Sequence, residues 1–128
     1  MRAIKLFAII VLLSFGVSAL LPQSKPETKS VAKNVILKGE VLDLACYVAG
    51  GKKGPEHKKC AEMCIKGGAP IGILTDDGKV YLIVENHEKP EPYEKLKGFA
   101  AEKVTITGVL HQRGGLPGVV IESVEQLK

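Results

Sequence analysis

Three cysteines and one histidine are the residues whose types and spacing could carry chemistry in this chain. They are Cys46, His57, Cys60 and Cys64, in the pattern CxxxxxxxxxxHxxCxxxC. Positions 57, 60 and 64 share one face of a helix, because side chains three, four and seven residues apart lie together there. We expect Cys46 at the end of a strand, joining that face if the chain folds back through the glycines of 50–54.

Thiolates and an imidazole form a soft ligand set, which suits Zn²⁺ in a closed tetrahedral site or Cu⁺. The spacing matches neither a zinc ribbon, which needs CxxC pairs, nor a haem attachment site, which needs CxxCH. We therefore predict a site for a copper or zinc ion formed by Cys46, His57, Cys60 and Cys64, with the choice of metal left open by the spacing.

The segment 60–64, Cys-Ala-Glu-Met-Cys, resembles the CxExC core of the binuclear copper site in cytochrome oxidase subunits and nitrous oxide reductase. In those families a histidine follows four residues later and a methionine three residues after that. This chain has Gly68 and Ile71 at those positions, so the binuclear site is not carried over. The likeness implies only that a CxxxC spacing can present two thiolates to copper.

Other uses of the cysteines stay open at this point. Cys46 could form a disulfide with Cys60 or Cys64, which would staple the segment to a ligand-binding or adaptor domain and leave one thiol over. The remaining thiol could be reactive or could join two chains. A third alternative is thiol redox chemistry at Cys60 and Cys64, where neighbouring lysines would favour the thiolate form.

The first 19 residues have the composition of a cleavable secretory signal peptide. Arg2 and Lys5 precede or border an apolar run over 6–15, and Val17 and Ala19 are the small residues of a cleavage site. The run is too short for a membrane-spanning helix, so we expect no stable membrane insertion after cleavage. Cleavage after Ala19 would deliver the other 109 of the 128 residues to the periplasm or the exterior.

Signal cleavage also removes most of the charge argument for a nucleic-acid partner. Loss of Arg2 and Lys5 reduces 18 basic residues to 16 against 14 acidic ones, a near balance. A base-stacking platform would need aromatic side chains, and outside the signal peptide there are only four, at positions 47, 81, 93 and 99. Because no HExxH, phosphate-binding glycine loop or nucleophile motif occurs, we predict a binding protein and not an enzyme. Its expected partners are a metal ion and a periplasmic protein.

The polar, proline-containing segment 20–33 is predicted to be a flexible linker, and 34–128 the folded domain. Alternating apolar residues predict a long first strand over 34–48, with a bulge or bend at Gly39. A helix is expected over 56–66, starting after Pro55. A hairpin over 71–84 turns at Asp76-Asp77-Gly78, where the Asp-Gly pair accepts the backbone angles of a tight turn.

An amphipathic helix is expected over 91–102, followed by a strand over 103–113, a turn at 114–118 and a last strand from Val119. This element order resembles the OB-fold, a five-stranded Greek-key barrel. The resemblance implies a mainly β domain with a helix between strands three and four. It also implies a helical insertion between strands one and two, which contains the cluster.

Three short motifs resemble those of small uncharacterised exported bacterial proteins. They are GxVxDxxCY at 39–47, HxxCAxxC at 57–64 and GxPxGxL at 68–74. The resemblance implies no particular activity. It does imply that the cysteines and the histidine belong to one functional unit.

Overall fold

Five strands and three helices make up the part of the chain that the computed structural model describes, residues 32–128. The elements, in order, are β1 (Lys33–Asp43), α1 (Leu44–Gly50), a 3₁₀ turn (Pro55–His57), α2 (Lys58–Lys66), β2 (Ile71–Thr75), β3 (Val80–Val84), α3 (Glu91–Leu96), a second 3₁₀ turn (Lys97–Phe99), β4 (Lys103–Arg113) and β5 (Leu116–Gln126). The predicted signal peptide and the predicted linker up to residue 31 lie outside the described residues.

The strands close into a barrel in the order β1-β2-β3-β5-β4, with β4 pairing back onto β1. All neighbouring strands are antiparallel except β3 and β5, which are parallel. A closed barrel leaves no long unpaired edge. The prediction of an OB-like five-stranded barrel is confirmed, with α3 between β3 and β4 and with α1 and α2 inserted between β1 and β2.

Alternate residues of the strands fill the barrel, as the period of two requires. Helix α2 adds Ala61 and Ile65 to this core, and Leu96 of α3 packs against the same cluster. The apolar core residues are each at most 4 % exposed, and they include Val41, Ile71, Ile73, Ile83, Val104, Ile106, Val119, Ile121 and Val124. The barrel is therefore a filled scaffold, and the insertion is anchored to it through α2.

The first strand is shorter than predicted, because it ends at Asp43 and a helix begins at Leu44. Asp43 caps that helix: its side chain accepts hydrogen bonds from the amides of Ala45 and Cys46. The aliphatic residues that follow therefore continue as helix although their composition favours a strand. The expectation that Cys46 lies at the end of a strand was wrong, since it lies in α1.

Two other boundaries also differ from the prediction. The helix expected over 91–102 is α-helical only to Leu96, and the backbone turns extended at Ala100 and left-handed at Ala101, with a φ of 59°. The last strand starts at Leu116, because Gly114 and Gly115, with φ angles of 57° and 82°, complete the turn by themselves. The hairpin of β2 and β3, in contrast, lies as predicted.

Gly39 is the point at which β1 exchanges partners between β4 and β2. The pairing register runs through it without a break, so the predicted bulge is absent from β1. A Cβ atom at this position would lie 2.2 Å from the carbonyl oxygen of Leu74. Glycine is required there for the close approach of two strands.

Candidate metal centre

Asp43 is the residue from which the site is built, since it ends β1 and starts α1. It is 1 % exposed, and its Oδ1 accepts hydrogen bonds from the amides of Ala45 at 2.9 Å and Cys46 at 3.4 Å. This cap satisfies amides at the helix start that have no partner within the helix. The same geometry places the Cys46 thiol beside the Asp43 carboxylate.

The chain just before and within β2 holds α1 in position. The amide of Leu44 donates to the carbonyl of Pro70 at 3.0 Å. The Leu44 side chain lies directly over Gly72, where an added Cβ would be 2.5 Å from Leu44 Cδ2. The third sequence motif, GxPxGxL, therefore supplies a carbonyl acceptor and a space that α1 occupies.

Glycines reverse the chain between α1 and α2, as the sequence led us to expect. Gly51 ends α1 in the left-handed conformation, with a φ of 65°, and its amide donates to the carbonyl of Tyr47. Gly54, with a φ of 80°, donates its amide to Oε1 of Glu40 on β1. The fold-back returns His57 to the start of α1.

Helix α2 presents Cys60 and Cys64 at the border of its buried face. Each of these cysteines precedes a core residue, Ala61 or Ile65, and is itself half-buried. Because the core residues fix the rotation of the helix, the two thiols face α1 and are not directed to solvent. Of the three residues predicted to share one helix face, only Cys60 and Cys64 lie in α2, because His57 ends the 3₁₀ turn before it.

The four predicted ligands fall into two overlapping groups of donor atoms. The donor atoms of Cys46, His57 and Cys60 lie within 4.8 Å of one another. Those of Asp43, Cys46 and Cys64 form a second group within the same limit. Cys46 is common to both. Cys64 is thus grouped with the Asp43 carboxylate, a donor that the sequence reasoning missed.

Two buried polar atoms in the cluster have no hydrogen-bond partner of normal geometry among the described residues. They are Oδ2 of Asp43 and Nε2 of His57, and they lie 3.8 Å apart. The Asp43 side chain is fully buried and that of His57 is 14 % exposed. A buried polar atom without a partner costs about 1–3 kcal/mol, so the pair is a place where a bound cation would supply the missing interaction.

The ionisation of the cluster is governed by Asp43. Burial raises the pKa of Asp43, but the Cys46 thiol and amide, the Cys64 thiol and the Ala45 amide direct donors at the carboxylate and together hold its pKa below the usual value. The Asp43 carboxylate, then burial and Cys64, raise the pKa of Cys46 to about 12. The pKa of Cys64 is raised chiefly by the same carboxylate.

These shifts mean that the thiols of Cys46 and Cys64 are protonated at neutral pH when no metal is bound. A metal ion binds thiolates, so it must displace those protons. Its affinity should therefore rise with pH. The pKa of Asp43, by contrast, lies below its usual value, so its carboxylate attracts a cation before the thiols of Cys46 and Cys64 are deprotonated.

The other histidines lie outside both groups of donors. His87 is exposed in the turn after β3. His111 lies on β4 and lines a groove of about 320 Å³ with Arg113 and apolar residues of β3 and β5. Of the basic residues in the insertion, Lys58 forms an ion pair with Glu102, which ties α2 to the residue before β4.

Comparison of the chain with protein-family models, with curated proteins and with solved structures finds no match. Within residues 32–128, no helix has the length and apolar character needed to cross a membrane. The assignment of a function therefore depends on the geometry and chemistry of the cluster.

Proposed function

We propose that this chain is an exported protein that binds a soft metal ion, copper or zinc, through Cys46, His57, Cys60 and Cys64. It would act in metal handling or in the assembly of a respiratory chain. The observation that carries the proposal is the meeting of Cys46, His57 and Cys60, whose donor atoms lie within 4.8 Å although α1, the 3₁₀ turn and α2 supply one each.

The donor atoms of this group lie only slightly farther apart than the ligand atoms of a bound zinc ion. Zn–S bonds of about 2.3 Å and Zn–N bonds of about 2.0 Å require tetrahedral ligand atoms about 3.5–3.8 Å apart. Donor atoms already within 4.8 Å reach that separation through movements of about 1 Å. The unpartnered Nε2 of His57 supports the same assignment, because an imidazole nitrogen that ligates a metal needs a free lone pair.

Export belongs to the proposal because of the pattern of residues 1–19. The resemblance to small exported bacterial proteins is part of it too, since each of the three shared motifs has a place in the site. The first contains Asp43 and Cys46, and the second contains His57 and the other two cysteines. The third contains Gly72, which gives α1 its space.

The direct test is mass spectrometry of the full chain, purified without added reductant. We expect a bound metal under native conditions and, after denaturation, three thiols that react with an alkylating reagent. A mass two hydrogens short with no bound metal would refute the proposal and would establish the disulfide alternative. Determination of the N-terminus after expression in an exporting host tests the location, with Leu20 expected as the first residue.

Substitution of a single ligand gives a second test with a matched control. His57→Ala should lower the metal affinity by on the order of tenfold or more, because it removes a direct donor. His87→Ala should leave the affinity unchanged, since His87 is exposed and outside both groups. Equal affinities for the two variants would exclude His57 as a ligand.

A further inference from the structure

Asp43 has a carboxylate oxygen that the proposed set of four ligands does not use. Its Oδ1 is occupied by the amides of α1, but its Oδ2 accepts no hydrogen bond of normal geometry although the side chain is fully buried. An ionised carboxylate is costly to bury unless a cation compensates it. No lysine or arginine forms an ion pair with Asp43 in the part of the chain described. The basic group beside it is the His57 ring, whose Nε2 lies 3.8 Å from Oδ2 of Asp43.

The grouping of the donors indicates more than one binding position. His57 and Cys60 form one group with Cys46, and Asp43 and Cys64 form a second group with it. The five donor atoms do not all lie within 4.8 Å of one another, so a single tetrahedral ion would leave part of the cluster without a metal. A cysteine thiolate has more than one lone pair and can bridge two metal ions.

The charges of the donors also favour two metal ions over one. Three thiolates and one carboxylate carry four negative charges, and the His57 imidazole is a neutral ligand. Two divalent ions neutralise them completely. One divalent ion leaves an excess of negative charge or an unused buried thiol, and two Cu⁺ ions leave two negative charges.

We infer that the cluster binds two Zn²⁺ ions that share the thiolate of Cys46. One ion is held by Cys46, His57 and Cys60, and the other by Cys46, Asp43 and Cys64. Each ion has three protein ligands and one position for water or a donor from a partner. A cysteine binds zinc as the thiolate, so any proton on a ligand thiol is released to solvent on binding. This inference rests on the proposed function, narrows the metal to a divalent ion and adds Asp43 as a ligand.

The test is the stoichiometry of zinc on the full chain, reduced, freed of metal and titrated with Zn²⁺. Native mass spectrometry and elemental analysis should both give two zinc ions per chain. Asp43→Asn should give one, because it removes the carboxylate from the second position. The asparagine amide oxygen can still cap α1, so the variant should fold. Asp76→Asn, at an exposed turn residue, is the matched control and should retain two ions.

Further variants distinguish the two positions. Cys64→Ser and His57→Ala should each retain one ion, whereas Cys46→Ser should lose both because it removes the shared ligand. Circular dichroism checks that each variant is folded. Wild-type protein that binds a single zinc ion would overturn this inference, whether or not Asp43→Asn weakens that ion, and would leave the proposed function intact. Wild-type protein that binds neither zinc nor copper would overturn both.

Discussion

The barrel and its insertion are stabilised by different means. The barrel buries apolar side chains from every strand, and its closed order pairs each strand with two neighbours. The insertion contains three half-buried thiols and an imidazole, and these lie beside the buried carboxylate of Asp43. The difference teaches that the barrel is stabilised by hydrophobic burial, while the cluster contains buried polar groups that a bound ion would pair.

The two helices of the insertion differ in the same way. Helix α2 buries Ala61 and Ile65 in the barrel core, whereas the seven-residue α1 has no fully buried residue. Helix α1 is held by the Asp43 cap, by the hydrogen bond of Leu44 to Pro70 and by the contact over Gly72. A helix this short is not stable by itself, so α1 is the element that a bound metal would stabilise most.

The largest effect should come from a cavity in the barrel. Ile106 is fully buried, so Ile106→Ala should lower the free energy of unfolding by about 2–5 kcal/mol. Urea denaturation measures it, and Ile36→Ala, at a residue 70 % exposed, is the control that should change little. The zinc stoichiometry of the folded variant should stay unchanged. A loss of metal from Ile106→Ala below its unfolding transition would contradict the separation of barrel and insertion.

Removal of the metal should act on the insertion and spare the barrel. If free metal was present at about 100 times its Kd, a chelator should lower the free energy of unfolding by about 2.7 kcal/mol. Hydrogen exchange should then accelerate far more in α1 than in β4 and β5. Cys46→Ser should show no response to the chelator. Faster exchange spread evenly over the barrel would show that the two regions are not separately stabilised.

Disturbing the contact between α1 and β2 should have an intermediate effect on the free energy of unfolding. Gly72→Ala forces the Leu44 side chain away, because the new Cβ would lie 2.5 Å from its Cδ2, and should cost about 1–3 kcal/mol. It should also weaken zinc binding, since Cys46 moves with α1. Gly98→Ala, whose Cβ would meet no atom within 4 Å, is the control.

The double variant Gly72→Ala with Leu44→Ala sharpens this experiment. If the clash between the two side chains is the cause, the second substitution should recover part of the zinc affinity lost in the first. Strictly additive losses would mean that Gly72 is needed for the backbone of β2 and not for the position of α1.

The regular part of the molecule follows from its sequence because its signals are local or periodic. Alternating apolar residues defined β4 at its exact bounds, and Asp77-Gly78 defined the turn of the β2–β3 hairpin. The end of β1 could not be found in this way. Leu44 to Val48 is as aliphatic as a strand, and the helix there begins with the capping hydrogen bonds of Asp43.

The same capping bond explains why the site was predicted incompletely. The spacing of Cys46, His57, Cys60 and Cys64 identifies four donors, but it contains no information about a carboxylate three residues before the first cysteine. An aspartate is nevertheless a recognised N-cap residue, and a helix starting after it would have placed Asp43 beside Cys46. The division of the cysteines between two groups depends on tertiary packing and has no counterpart in the spacing.

The smallest effect should come from the ion pair that joins the insertion to the barrel. Lys58 of α2 pairs with Glu102, which also accepts a hydrogen bond from Gln126 of β5, and the Lys58 side chain is 42 % exposed. Solvent screens such a pair, so Lys58→Ala should cost no more than about 1 kcal/mol, and less at high salt. Zinc affinity should not change, because Ala61 and Ile65 hold α2 in place.

Lys59→Ala, at an exposed lysine without an ion pair among the described residues, is the control. A loss of zinc from Lys58→Ala alone would mean that charge, and not core packing, fixes the position of α2.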